Sequence, residues 1–184
     1  SYIVVSGSLP PGVPGDFYGR VAAISRRVGA KLIVDTSEAA LAMAVQEGVF
    51  LIKPNLRELG HLAGKEIEGE AEQEEVARDL IRKGRSEVVV VSLGAAGALM
   101  VTGEGSQRFR APTVPIKSKV GAGDSMVAGM VLGLAQGRSL EDVVRLGVAA
   151  GAAAVMTPGT ELCRREDTEF LYGAMIQEGA EGSR

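Results

Sequence analysis

Four short, largely apolar runs rich in β-branched residues, Tyr2 to Val5, Lys31 to Asp35, Val49 to Ile52 and Val88 to Val91, alternate with stretches whose apolar residues recur at helical spacing. Continuous apolar runs of this length read as buried strands, and strands that alternate with helices build parallel sheets. The expected fold class is therefore α/β, a doubly wound and mostly parallel sheet with helices on both faces. Between the first two runs, Val21, Ile24 and Val28 mark the apolar side of a helix, with Gly29 at its carboxyl cap. Further helices are expected over Glu38 to Gln46 and, charged and amphipathic, over Glu72 to Lys83. After Ser92 the pattern changes. Gly94, Gly97, Gly103 and Gly105 break up short apolar pieces around Ala98 to Val101 and Gln107 to Arg110, which read as antiparallel hairpins. From Gly121 the chain is helical and made of small apolar residues, over Ser125 to Gln136 and Ser139 to Met156; helices apolar on most sides lie inside a protein. A last helix from about Asp167 to Gln177 precedes a tail, Glu178 to Arg184, whose glycines and charges favour fraying.

Composition narrows the functional classes. The 20 basic and 23 acidic residues are interspersed, with no basic run to track a phosphate backbone, so nucleic acid is not an expected partner. No apolar stretch reaches the roughly 18 residues of a membrane span. Cys163 is the only cysteine, which excludes an internal disulfide and a cysteine-built zinc site and fits a reducing cytoplasm. It reads as a free packing thiol, and the single histidine, His61, as a surface residue. No signal or transit peptide is legible at the amino end, and the whole of 1–184 reads as one domain. The P-loop, the dinucleotide fingerprint, the protein-kinase catalytic loop and the hydrolase nucleophile elbow are all missing from the sequence.

Three segments could carry chemistry. Gly121-Ala122-Gly123-Asp124 places two glycines before a buried helix, and a helix N-terminus with nothing bulky in front of it attracts anions through unsatisfied N–H groups and the macrodipole. Asp124 at that point could accept a proton from a hydroxyl attacking a phosphate, or could be a plain helix cap. Lys53-Pro54-Asn55-Leu56-Arg57-Glu58 follows a strand; Asn55 and Glu58 either offer oxygens to magnesium or form a reciprocal capping box. Ser92 to Gly97 follows the Val88 to Val91 strand at the carboxyl edge, where ligands bind in open α/β sheets, although a hairpin turn would use the same residues.

In this order, Gly7-Ser8-Leu9-Pro10-Pro11-Gly12, Lys53-Pro54-Asn55 with Glu58, Ser92-Leu93-Gly94 with Gly97, and Val120-Gly121-Ala122-Gly123-Asp124-Ser125 resemble the ribokinase-type (PfkB) carbohydrate kinase family over nearly the whole chain. The stretch from Ala149 to Cys163 is similar to the minor bacterial 6-phosphofructokinase branch of that family. The resemblance implies transfer of the ATP γ-phosphoryl group to a phosphosugar, fructose 6-phosphate first, with fructose 1-phosphate, tagatose 6-phosphate or nucleotide binding without catalysis as alternatives. It implies Asp124 as base and the N–H groups of Gly121, Ala122 and Gly123 as an anion hole. Lys53, Asn55, Ser92, Gly94 and Gly97 would lie along ATP, with Ile116, Val148 and Ala152 bordering adenine. Glu58 and Asn55 would order Mg2+; Ser118, Val120, Ala154, Thr157, Gly159 and Glu161 would hold a monovalent cation such as K+; Ser8 would contact the sugar phosphate. Family members are longer at the amino end, where a sugar-binding turn and a dimer-forming lid lie. The chain is thus expected to be the carboxyl-terminal portion of a homo-oligomeric enzyme, inactive alone and, with Tyr2 to Val5 on an uncovered edge, prone to self-association.

Overall fold

Each β-branched run forms a strand. The structure, a computed structural model, describes residues 1–181. Its elements run β1 (Tyr2–Ser6), α1 (Phe17–Arg27), β2 (Lys31–Asp35), α2 (Glu38–Gln46), β3 (Val49–Ile52), α3 (Leu56–Ala63), α4 (Gly69–Arg82), β4 (Ser86–Ser92), β5 (Ala98–Thr102), β6 (Ser106–Phe109), α5 (Ala122–Ala135), α6 (Leu140–Val155) and α7 (Arg165–Glu181), with a single 3-10 turn at Gly94–Ala96. The described residues divide into two compact units, Ser1–Leu93 with Leu99–Arg108, and Gly94–Ala98 with the chain from Phe109 onward.

The first unit holds nearly all of a six-stranded sheet in the order β1-β2-β3-β4-β5-β6. The first four strands are parallel, in a register that sets Ser6 beside Asp35, Ile33 beside Leu51 and Leu51 beside Val88. The β5–β6 connection is only Gly103 to Gly105, too short for the crossover a parallel pair needs, so the expected hairpin forms. Alternate strand residues Leu32 and Val34, Val89 and Val91, and Leu99 and Val101 share one cluster with Ala22 of α1, Leu41 of α2, Leu59 of α3 and Leu80 of α4. Each large side chain buried there contributes roughly 1.5–3 kcal/mol.

Two expectations hold only in part. Tyr2 to Val5 is covered on one side alone: Ile3 and Val5 pack against the core, whereas Tyr2 and Val4 are 37% and 40% exposed. Of the α1 residues expected to pack, Val21 does lie against the core, but Ile24 and Val28 are exposed, and the buried side is made by Tyr18, Ala22 and Ser25. Tyr18 supplies the larger apolar surface, one turn before Ala22 on the same side. Helix α4 begins three residues before the expected start.

In the second unit, α5 and α6 pack closely because glycines face the partner backbone. A Cβ on Gly129 would lie 2.8 Å from the Leu146 carbonyl oxygen, and one on Gly147 would lie 2.9 Å from that of Met126. Helix α6 is mostly buried as expected, but α5 leaves Ala128 and Leu132 exposed. Ser139 caps α6 by accepting the Asp142 N–H at 3.2 Å. Helix α7 continues through Glu178, where fraying was expected; positions 182–184 of that tail lie outside the described residues.

Candidate active site

At the carboxyl edge of the first unit, β3 ends at Ile52 and Lys53-Pro54-Asn55 lead into α3. Asn55 is extended (φ −82°, ψ 176°), and its Oδ1 accepts the Glu58 N–H at 2.9 Å. The Asn55 N–H in turn donates to Glu58 Oε2, also at 2.9 Å. The reciprocal capping box is therefore formed. Glu58 keeps its second carboxylate oxygen for another partner, and Mg2+ in a nucleotide complex needs only one or two protein carboxylates beside waters and phosphates. Among the described residues, no three His, Cys, Asp or Glu side chains gather as a self-sufficient metal cage.

Ser92, at the end of β4, pairs with Asn55 in an isolated parallel bridge, and its N–H donates to the Pro54 carbonyl at 2.9 Å. Lys53, Asn55, Glu58 and Ser92 are thus brought to one edge. The Lys53 ammonium is buried and lies 3.1 Å from Asp35 Oδ1, at the end of β2. Ser8, exposed in the turn after β1, follows Gly7, whose N–H donates to the Asp35 carbonyl at 2.9 Å. Asp35 was not singled out in the sequence; its place at the carboxyl end of an apolar run was the available signal.

The second unit carries the remaining candidates. Gly121 takes a left-handed conformation (φ 77°) as the N-cap of α5, which favours glycine, and its carbonyl accepts the Ser125 N–H at 2.8 Å. The N–H groups of the first turn have no intrahelical acceptor. Asp124 sits in that turn, exposed and without a side-chain hydrogen bond among the described residues, while Gly121 holds the N-cap position. Gly94 and Gly97 bound the 3-10 turn, with the Gly97 N–H donating to the Gly94 carbonyl at 3.0 Å. Val148 and Ala152 lie one turn apart on α6, both buried, and Ile116 is exposed in the segment before α5.

Ser118 and the chain after α6 meet directly. Ser118 Oγ donates to the Gly159 carbonyl at 2.7 Å, and Thr157 Oγ1 lies 2.8 Å from both the Ala154 and Glu161 carbonyls. The Lys117 N–H donates to Val155 at 2.7 Å. Val120 is exposed beside this group, and its N–H donates to Ser118 Oγ. These carbonyl oxygens are the hard donors a monovalent cation takes. His61 is exposed on α3, and Cys163 is a half-buried free thiol. No helix among the described residues is long and apolar enough to cross a membrane.

The sequence profile of the pfkB family carbohydrate kinases matches residues 1–167. The chain belongs to that family. This PfkB chain is 52% identical over 172 residues to the ATP-dependent 6-phosphofructokinase isozyme 2 of Mycobacterium tuberculosis, covering 94% of the chain and 50% of that relative. It is 38% identical over 161 residues to the 1-phosphofructokinase of Rhodobacter capsulatus, covering 88% of the chain and 51% of the relative. Phosphofructokinase-2 from Escherichia coli in complex with potassium superposes with a TM-score of 0.91 at 42% identity, covering 94% of this chain and 56% of that one. A tetrameric inhibited form of the same E. coli protein gives 0.88 at 41% identity, with the same coverage of both chains. The PfkB chain spans about half the length of these relatives.

Proposed function

We propose that this chain is the carboxyl-terminal, nucleotide-binding and catalytic part of a PfkB enzyme that transfers the γ-phosphoryl group of ATP to fructose 6-phosphate, giving fructose 1,6-bisphosphate. The observation that carries the reading is Asp124, an exposed carboxylate without a hydrogen-bond partner among the described residues, in the first turn of a helix whose N–H groups are open to an anion. The attacking hydroxyl oxygen forms a bond to the γ-phosphorus while the bond to the ADP oxygen breaks, and the hydroxyl proton passes to Asp124. The N–H groups of Gly121, Ala122 and Gly123 meet the phosphoryl charge. In the first unit, Lys53, Asn55 and Ser92 attend the nucleotide, Glu58 with Asn55 orders Mg2+ and its waters, and Ser8 contacts the sugar phosphate. In the second, Gly94 and Gly97 border the nucleotide, Ile116, Val148 and Ala152 border adenine, and the carbonyl group around Ser118, Val120, Ala154, Thr157, Gly159 and Glu161 takes K+.

The 52% identity to a 6-phosphofructokinase favours fructose 6-phosphate; the 38% identity to a 1-phosphofructokinase supports fructose 1-phosphate as the second reading. The enzyme works in the cytoplasm as a homo-oligomer. ADP release by the full-length enzyme is to be measured with fructose 6-phosphate, fructose 1-phosphate and tagatose 6-phosphate in parallel. The highest kcat/KM is expected with fructose 6-phosphate; a higher value with another phosphosugar reassigns the substrate, and no ADP release with any of them leaves a nucleotide-binding protein without transfer.

A further inference from the structure

The turn that carries Ser8 is held by side chains from two distant elements. The Gly7 carbonyl accepts hydrogen bonds from the Tyr18 hydroxyl of α1 at 3.1 Å and from Thr36 Oγ1, just after β2, at 2.8 Å. Both donors are buried, at 8% and 5% exposure. On its other side Gly7 donates its N–H to the Asp35 carbonyl at 2.9 Å, and its φ of 89° is one that glycine alone adopts readily. Three hydrogen bonds therefore fix one residue in a turn where, apart from Leu9 packed against the core, the side chains are exposed.

The consequence falls on Ser8. The Gly7 carbonyl and the Ser8 N–H belong to the same planar trans peptide, so they point in opposite directions. With the carbonyl drawn inward by two hydroxyls, the Ser8 N–H is turned outward. Neither it nor the Ser8 hydroxyl has a hydrogen-bond partner among the described residues. Two bonds accepted at the carbonyl also polarise the peptide and strengthen its N–H as a donor.

We infer that Tyr18 and Thr36 are positioning residues for the phosphosugar, holding the Gly7–Ser8 peptide so that the Ser8 N–H and hydroxyl together present two donors to the phosphate of the acceptor. The inference rests on the phosphosugar kinase reading above. It assigns a role to two buried side chains that act through the Gly7 carbonyl, and it places their effect on the acceptor alone. A donor already fixed in direction loses little freedom on binding, and that gain appears as affinity rather than as rate.

The test is steady-state kinetics of the full-length enzyme with Tyr18→Phe, Thr36→Val and Thr36→Ser, varying fructose 6-phosphate and MgATP separately and recording thermal midpoints. Tyr18→Phe keeps the ring and removes only the hydroxyl, so it remains informative if Thr36→Val does not fold. Tyr18→Phe and Thr36→Val should each raise the KM for fructose 6-phosphate by about five- to tenfold, the size of one lost hydrogen bond. The KM for MgATP and kcat should stay within twofold, and Thr36→Ser should restore the parent value. Unchanged KM values overturn the inference, as does a parallel rise in both KM values with a lowered thermal midpoint, which marks a purely structural role. If the parent enzyme phosphorylates no phosphosugar, the proposed function fails and this inference with it; if the parent is active and the variants match it, the inference alone fails.

Discussion

Lys53 and Asp35 form an ion pair of 3.1 Å at the carboxyl ends of neighbouring strands, with side chains 7% and 16% exposed. Lys53 lies one residue past β3 and Asp35 ends β2, so the parallel register itself brings them together; the Lys53 N–H donates to the Val34 carbonyl at 3.2 Å. Removing one member of so enclosed a pair leaves the other charge poorly solvated. Lys53→Met should lower the stability of the 184-residue chain by about 2–4 kcal/mol, below the upper range for buried pairs because Asp35 keeps some contact with water. Urea unfolding checks it; a midpoint equal to the parent's would mean that water already solvates both charges.

Asp124→Asn keeps the shape of the side chain and removes the proton acceptor. In the full-length enzyme kcat should fall by about 10²- to 10⁴-fold while MgATP affinity stays nearly constant, because the helix N–H groups are untouched. Turnover within threefold of the parent would remove Asp124 from the chemistry.

Glu58→Gln separates the two tasks of that residue. The amide oxygen can still accept the Asn55 N–H, so the capping box at the start of α3 survives and the thermal midpoint should move little. The charge that orders Mg2+ is gone. Activity should drop and recover partly as magnesium is raised; superimposable magnesium titrations of variant and parent would leave Glu58 with the capping role alone.

Gly97 answers to packing whatever its place near a nucleotide. A Cβ there would lie 1.9 Å from the Phe109 carbonyl oxygen, and its φ is +96°. Gly97→Ala should destabilise by about 3 kcal/mol or more, since neither backbone can move away cheaply. Gly103→Ala, where a Cβ meets nothing within 4 Å, should stay within about 0.5 kcal/mol. Chemical unfolding of the two variants side by side decides it.

Helix α4 carries an acid-sensitive set of charges. A hydrogen bond from Lys65 holds the Glu72 carboxyl below its ordinary value, one from Arg78 with help from Ser106 does so for Glu74, and one from Lys83 does so for Asp79. Groups whose acidity is increased by folding stabilise above their unfolded pKa and lose that contribution as pH falls through the folded one. The thermal midpoint should be flat from pH 8 to 5.5 in this respect and decline below about 4.5, less steeply in high salt because these groups face water. The combined variant Glu72→Gln, Glu74→Gln and Asp79→Asn should show a shallower acid decline; identical slopes would place acid sensitivity elsewhere.

Much of this protein was legible in the chain itself. The runs Lys31 to Asp35, Val49 to Ile52 and Val88 to Val91 became adjacent parallel strands because β-branched residues between helical stretches have few other ways to bury their surface. Asn55 and Glu58 announced their capping box because its hydrogen bonds span only three residues. Ser139 announced the start of α6 for the same reason. The small apolar residues of α6 foretold a mostly buried helix, but the close approach of α5 and α6 at Gly129 and Gly147 was not read from the sequence.

What the tertiary structure alone decided depends on pairs far apart in the chain. Tyr2 to Val5 has the composition of a buried strand, yet only Ile3 and Val5 pack against the core while Tyr2 and Val4 are exposed, because which side of a strand is covered depends on elements far along the chain. The buried side of α1 turned on Tyr18 rather than Val28, because α1 presents to the sheet the face its neighbours can cover. Lys53 meets Asp35 across 17 intervening positions, and Gly7 is held by Tyr18 from the start of a helix and by Thr36 from the end of a strand. Local propensity acts over a few residues of backbone; ion pairs, clamps and sheet edges arise only when distant segments are brought within a few ångströms, and there the fold rather than the motif chooses the partner.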